Sequence, residues 1–189
     1  IQYLLWQFNG TVGYPSPYAP RSFEEGPTPE IDEAWERFHA RPMSVSLEVV
    51  EKSGENTDAV RLPDELGGGY LAWAEVNHQL HCLNLLRKAI YWDYYYDITR
   101  ELQREPPEVY AHLDHCIEMM RQILMCNADT GLQLHHWVRG NPTPIPNSNT
   151  WHMCKDFESI LDWTHRMQIP EREGYLPILP GSKIYDRQP

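Results

Sequence analysis

Basic residues are scarce in this sequence: 16 Lys and Arg stand against 27 Asp and Glu, for a formal net charge of -11. No Lys/Arg-rich run occurs, and binding a phosphate backbone rests on such residues, so no nucleic-acid partner is expected. Long apolar runs are missing too. Charge interrupts each hydrophobic stretch before the ~20 residues that a bilayer-spanning helix needs, so nothing in this chain is expected to cross a membrane. Glycine, at 11 residues, is outnumbered by 16 prolines, which points to ordered but irregular connections rather than flexible linkers. The sequence also lacks a His-Glu-x-x-His helix, a Gly-x-Ser-x-Gly elbow, a phosphate-binding glycine loop and a Cys-x-x-Cys pair. Hydrolase and nucleotide-binding readings lose support accordingly.

What is present suits a soluble globular protein. Hydrophobic residues make up 41% of 189 positions, enough for one domain with a real core and too few for two generous ones. A single domain over 1–189 is therefore expected. Ile1 to Phe8 reads as the end of a signal peptide or anchor. Asn9-Gly10-Thr11 fits the N-glycosylation acceptor pattern, and an even count of four cysteines leans toward the same secretory setting.

Prolines 15, 17, 20, 27 and 29 interleave with Gly10, Gly13 and Gly26, which predicts an extended N-terminal arm over 1–28. Thr28 then reads as an N-cap with Pro29 at the first helical position, opening a helix over 29–40 with Ile31, Trp35 and Phe38 on one face. Alternation of Val45, Leu47 and Val49 predicts a strand over 44–50. A long helix is expected over 70–97, following Gly67-Gly68-Gly69, and a second over 107–126, opened by Pro106-Pro107. A strand over 132–138, a proline-rich loop over 140–150, a last helix over 156–167 and an irregular tail over 170–189 complete the chain. The fold class predicted is mainly α with minor β: two long antiparallel helices, short strands and proline-rich irregular arms.

The two long helices repeat one pattern. His78, His81, Cys82 and Arg87 recur as His112, His115, Cys116 and Arg121, each at the same offset, with apolar matches at Leu83/Ile117, Leu85/Met119 and Leu86/Met120. Histidines at i and i+3 project from one helix face about 5–6 Å apart, so one helix supplies half a metal site. Packing two such helices face to face brings four imidazoles into a bundle core, the usual way bundles build metal sites. His78, His81, His112 and His115 are therefore the predicted ligands, facing inward. Two buried pairs of satisfied histidines would be the structural alternative.

Cys82 and Cys116 each follow a motif and can serve as thiolate ligands to zinc or copper, or pair with each other. Pairing is favoured, with Cys126 then joined to Cys154, although four cysteines allow three connectivities. His152, two residues before Cys154, is an additional candidate ligand or a support for one. His135, His136, His39 and His165 carry no comparable pattern. The aromatic run Tyr91-Trp92 and Tyr94 to Tyr96 reads as packing more readily than as a substrate pocket.

The run Leu66-Gly-Gly-Gly-Tyr70 through His78-Gln-Leu-His81-Cys82-Leu-Asn-Leu-Leu-Arg87 resembles the fungal UstYa-like proteins, oxidases of ustiloxin-type peptide pathways marked by a doubled His-x-x-His-Cys motif. The likeness continues through His112-Leu-Asp-His115-Cys116, Arg121 to Asp129, and Trp151-His152-Met-Cys154-Lys-Asp156-Phe157, making 62–163 the motif-bearing core. Asn77 departs from it, since an aromatic commonly precedes the first histidine. The resemblance implies a copper-dependent oxidase of secondary metabolism that uses O2 to cyclise, hydroxylate, desaturate or halogenate a peptide or other small molecule. It implies one or two copper ions at the four histidines, with zinc as the alternative. It also implies a lumenal or extracellular site in the secretory pathway, and membrane attachment only through a segment absent from this chain. A homo-oligomer, or a hetero-oligomer with a related subunit, is compatible with it. A structural zinc-binding accessory or interaction protein without catalysis is the rival reading; it requires a closed set of four ligands.

Overall fold

Thr28 has extended backbone and its side chain accepts from the Ile31 amide, with Pro29 in the first turn, and these start α1 (Pro29–Glu36). The computed structural model describes residues 1–13, 16–19, 26–171 and 174–186, so parts of the expected arm and tail lie outside the described residues. Those residues form two compact units, Ile1–His39 with Gln79–Phe157 and Ala40–His78 with Glu158–Pro189. The dividing line runs inside a continuous helix, α3 (Glu75–Ile90).

In the first unit, β1 (Tyr3–Gln7) pairs antiparallel with β6 (Trp151–Lys155), with Tyr3 opposite Lys155 and Gln7 opposite Trp151. The residues expected to end a signal or anchor thus form a strand. After α3 the chain turns at Tyr91, which leaves helical geometry, into the short α4 (Trp92–Tyr95) and two 3-10 turns. The second long helix, α5 (Pro106–Asn127), opens on Pro106 as predicted and ends at Ala128, which sits in the left-handed region at φ 34. The core cluster is Cys82, Leu85, Tyr95, Leu102, Val109 and Cys116.

The expected helix over 70–97 is shorter at both ends. Gly67, Gly68 and Gly69 all take positive φ, and Tyr70–Ala72 forms β3, paired with β2 (Met43–Val45) in the second unit. At the other end, the break at Tyr91 lets Tyr95 turn into the core, where it is fully buried. That packing outweighs the propensity of the aromatic run to continue the helix.

The strand expected over 44–50 is confined to β2. Ser46 caps α2 (Leu47–Ser53), its side chain accepting from the Val49 amide, and Gly54 closes the helix in the left-handed region. A Glu48–Lys52 ion pair one turn apart supports it. Local capping thus overrides an alternation that predicted strand, because a cap satisfies amides that a strand would need a partner for. The strand expected over 132–138 shrinks to β4 (His135–His136), paired with β5 (Ile145–Pro146). The last helix, α6 (Phe157–Arg166), forms where predicted, with Leu161 buried. These elements make the protein mainly α with minor β. No helix among the described residues is long and apolar enough to cross a membrane.

Candidate metal centre

The repeated motifs face each other across α3 and α5. Nitrogen atoms of His78 and His115 and the Cys82 sulfur all lie within 4.8 Å of one another. Beside them the His81 and His112 rings are 6.1 Å apart, and His112 and His115 are 6.4 Å apart between centroids. His78 meets His115 and His81 meets His112, pairings that run in opposite senses along the two helices, as antiparallel packing requires.

The Cys82 sulfur thus joins two of the four predicted imidazoles, with the other two alongside. At about 100° per residue, a position four along a helix lies about 40° from the first and a position three along about 60° away on the other side. Cys82 is four residues from His78 and shares its line of sight, whereas His81 is turned toward His112. Burial is uneven as well. Cys82 is fully buried, His78, His81 and His112 are half-buried, and His115 is exposed. The site accordingly has a closed, sulfur-lined floor and opens to solvent at His115, rather than lying wholly on buried faces.

The first turn of α3 frames His78. Glu75 Oε1 lies 3.8 Å from His78 Nδ1, and the Trp73 ring is 6.0 Å away at a tilt, with its indole N–H donating to the Ala40 carbonyl.

Cys82 and Cys116, one of the two expected disulfide pairs, are both fully buried in the same core cluster. Burial pushes the Cys116 thiol up to about 12, and its hydrogen bond with Cys82 adds to the effect. Cys116 thus holds its proton while the Cys82 sulfur faces the histidines. Cys126 is exposed near the end of α5, whereas Cys154 is half-buried in β6.

His152 lies elsewhere, on β6. Its Nδ1 is 2.7 Å from Asp129 Oδ2 and its Nε2 2.7 Å from Thr150 Oγ1, so both ring nitrogens have protein partners and it does not join the metal cluster. Nothing in the spacing signalled these partners, although Asp129 belongs to the stretch that carried the family resemblance. His39, His135, His136 and His165 are exposed. Asn9 is exposed, and Thr11 of its acceptor pattern takes a hydrogen bond from Asn149. Tyr95, from the aromatic run, is packing: its hydroxyl donates to Asp32 and accepts from Arg87, both at 2.7 Å.

A family model described as "Mycotoxin biosynthesis protein UstYa" matches residues 1–167. Among curated relatives, the UstYa family oxidase aprY of Aspergillus flavus is 34% identical over 74% of this chain and 45% of its own length. The UstYa family oxidase phomYc of Diaporthe leptostromiformis is 34% identical over 79% of this chain and 58% of its own. A protein named transacylase cctO, from Talaromyces islandicus, is 32% identical over 73% of this chain and 49% of its own. The chain thus spans about half the length of these relatives. No solved structure matches it. With the doubled His-x-x-His-Cys motif on facing helices and a family match over nearly the whole sequence, this chain belongs to the UstYa family.

Proposed function

We propose that this chain is the oxidase unit of a fungal secondary-metabolic enzyme that holds copper and uses O2 to functionalise a C–H bond of a peptide or other small natural product. Cyclisation, hydroxylation, desaturation and halogenation all fall within that chemistry. The observation that carries the reading is the convergence of His78, Cys82 and His115. Two imidazoles and one thiolate form a borderline-soft donor set that suits copper or zinc and disfavours magnesium or calcium. Most of the relatives above are named oxidases, which supports the redox reading over a purely structural one; fold alone would not, since one relative is named a transacylase.

His78, Cys82 and His115 would hold the metal, with His81 and His112 next to it. Bound copper supplies one-electron chemistry with O2 that these side chains lack by themselves. The chain's own part is to keep water from the sulfur side by full burial of Cys82 and to leave the His115 side open to substrate. The exposed Asn9 acceptor supports a lumenal setting in the secretory pathway.

The test is metal analysis with electron paramagnetic resonance on protein loaded with copper and desalted, for wild type, Cys82→Ser and the His78→Ala, His115→Ala double variant. Stoichiometric copper with nitrogen hyperfine structure, lost in the double variant, is expected. A sulfur-to-copper charge-transfer band absent in Cys82→Ser would assign the thiolate. Tightly held zinc that copper cannot displace would make the site structural, and absence of any bound metal would overturn the reading.

A further inference from the structure

Thr150, His152 and Asp129 form a hydrogen-bonded chain that the metal centre does not use. Asp129 follows α5, its Oδ1 held by the Gly131 amide at 2.7 Å and its Oδ2 2.7 Å from His152 Nδ1. Those two partners hold its carboxyl below the usual carboxylate range. An ionised carboxylate only accepts, so His152 Nδ1 carries the proton and donates it. With that proton on Nδ1, Nε2 is the ring nitrogen left to accept from the Thr150 hydroxyl at 2.7 Å. Phe8 stacks on the imidazole with centroids 3.7 Å apart and planes 21° from parallel, fixing the ring. The Phe8 amide also donates to the Thr150 carbonyl at 2.8 Å, extending the β1–β6 pairing to the nucleophile.

Hydroxyl, imidazole and carboxylate in this order, at these distances, are the arrangement that activates an alcohol for attack on a carbonyl, recognised by geometry rather than by motif. Side chains directly opposite in an antiparallel pair share a face, and Trp6 is opposite His152. Trp6 is 60% exposed, which leaves an apolar platform open beside the triad. We infer that Thr150, His152 and Asp129 form a second catalytic site, an acyl-transfer centre that accepts esters carrying an apolar acyl or alcohol part.

In the first half-reaction the Thr150 oxygen attacks the ester carbonyl while its proton passes to His152 Nε2. The ester C–O bond breaks, the alcohol leaves with that proton, and the acyl group stays on Thr150. Water or an amine then attacks the acyl-threonine, gives a proton through His152, and releases acid or amide with Thr150 restored. No electrons are exchanged, so the site is independent of the metal centre. Asp129 acts as a positioning residue, holding the tautomer.

The experiment uses p-nitrophenyl butyrate turnover and labelling by a fluorophosphonate, with the adduct mapped by peptide mass spectrometry. Saturable turnover and an adduct on Thr150 are expected in wild type. Thr150→Val should lose the adduct and at least about 10²-fold in kcat/KM, and Thr150→Ser should keep both. Asp129→Asn should lower kcat with KM little changed and alter the pH profile, which a merely structural role would not do. Absence of an adduct on Thr150 in the folded wild type, or equal turnover in wild type and Thr150→Val, overturns the assignment.

Discussion

Arg87 donates to the carboxylate of Asp32 at 2.7 Å across 55 residues of sequence, and both converge on the Tyr95 hydroxyl. The guanidinium also lies over the Trp35 and Tyr95 rings, 5.2 and 5.1 Å from their centroids. This polar knot ties α1 to α3 and α4 at the edge of the core. Arg121, its counterpart in the sequence repeat, instead pairs with Glu118 on the exposed surface of α5. The duplication therefore repeats the metal motif but not the surroundings of its arginine.

Arg87→Met is expected to cost about 2–3 kcal/mol, because it leaves the Asp32 carboxylate and Tyr95 hydroxyl short of a partner in a mostly buried setting. For a chain of this size that lowers the melting temperature by roughly 5–10 °C. Arg121→Met should leave melting unchanged, since exposed helical ion pairs contribute little. Equal shifts in the two variants would contradict the distinction.

Burial pushes the Tyr95 phenol up to about 12 from 10.0, aided by Asp32 and opposed by Arg87. The folded state thus favours the neutral phenol. Its contribution to stability is complete below pH 10, where neither state is ionised, and is lost as pH rises toward 12 because the unfolded chain ionises first. Denaturant titrations at stepped alkaline pH should show this loss in wild type and a shallower slope in Tyr95→Phe. Parallel slopes would rule it out.

Metal affinity should separate the two motif cysteines. Cys82→Ser is expected to weaken binding at least about 100-fold, and Cys116→Ser by about tenfold at most, since Cys116 acts only through its hydrogen bond to Cys82. Competition against a chromophoric chelator reads both numbers, and matched losses would mean that the sulfurs act as one unit.

A Cβ added at Gly69 would lie 2.5 Å from the Val45 carbonyl oxygen, at φ +70. Gly69→Ala should therefore cost about 2–3 kcal/mol through strain and disturbance of the β2–β3 pair. At Gly54, where φ is +77 and nothing lies within 4 Å, alanine meets backbone strain alone and should cost about 1 kcal/mol. Unfolding curves of the two variants compare a clash with strain, and a smaller loss at Gly69 would show that β2 yields freely.

Much of the fold was legible because its signals are local. Thr28-Pro29 start α1 and Pro106-Pro107 start α5 as read. The inward faces of α5 and α6 followed from apolar spacing, with Val109, Cys116 and Leu161 buried. Two readings failed where a local device competed with a pattern. Ser46 capped a helix over residues that alternate like a strand, and three glycines with positive φ delayed α3 to Glu75.

The sequence by itself determined that two helices would each present histidines and a cysteine at fixed angles, because helical geometry sets which side chains share a face. Only the tertiary structure decided that the Cys82 sulfur would stand with His78 and His115, and that Asp129 would reach His152 across 23 residues of chain. Such meetings depend on how elements pack and where loops close. A side chain's spacing along the chain specifies its direction but not its partner.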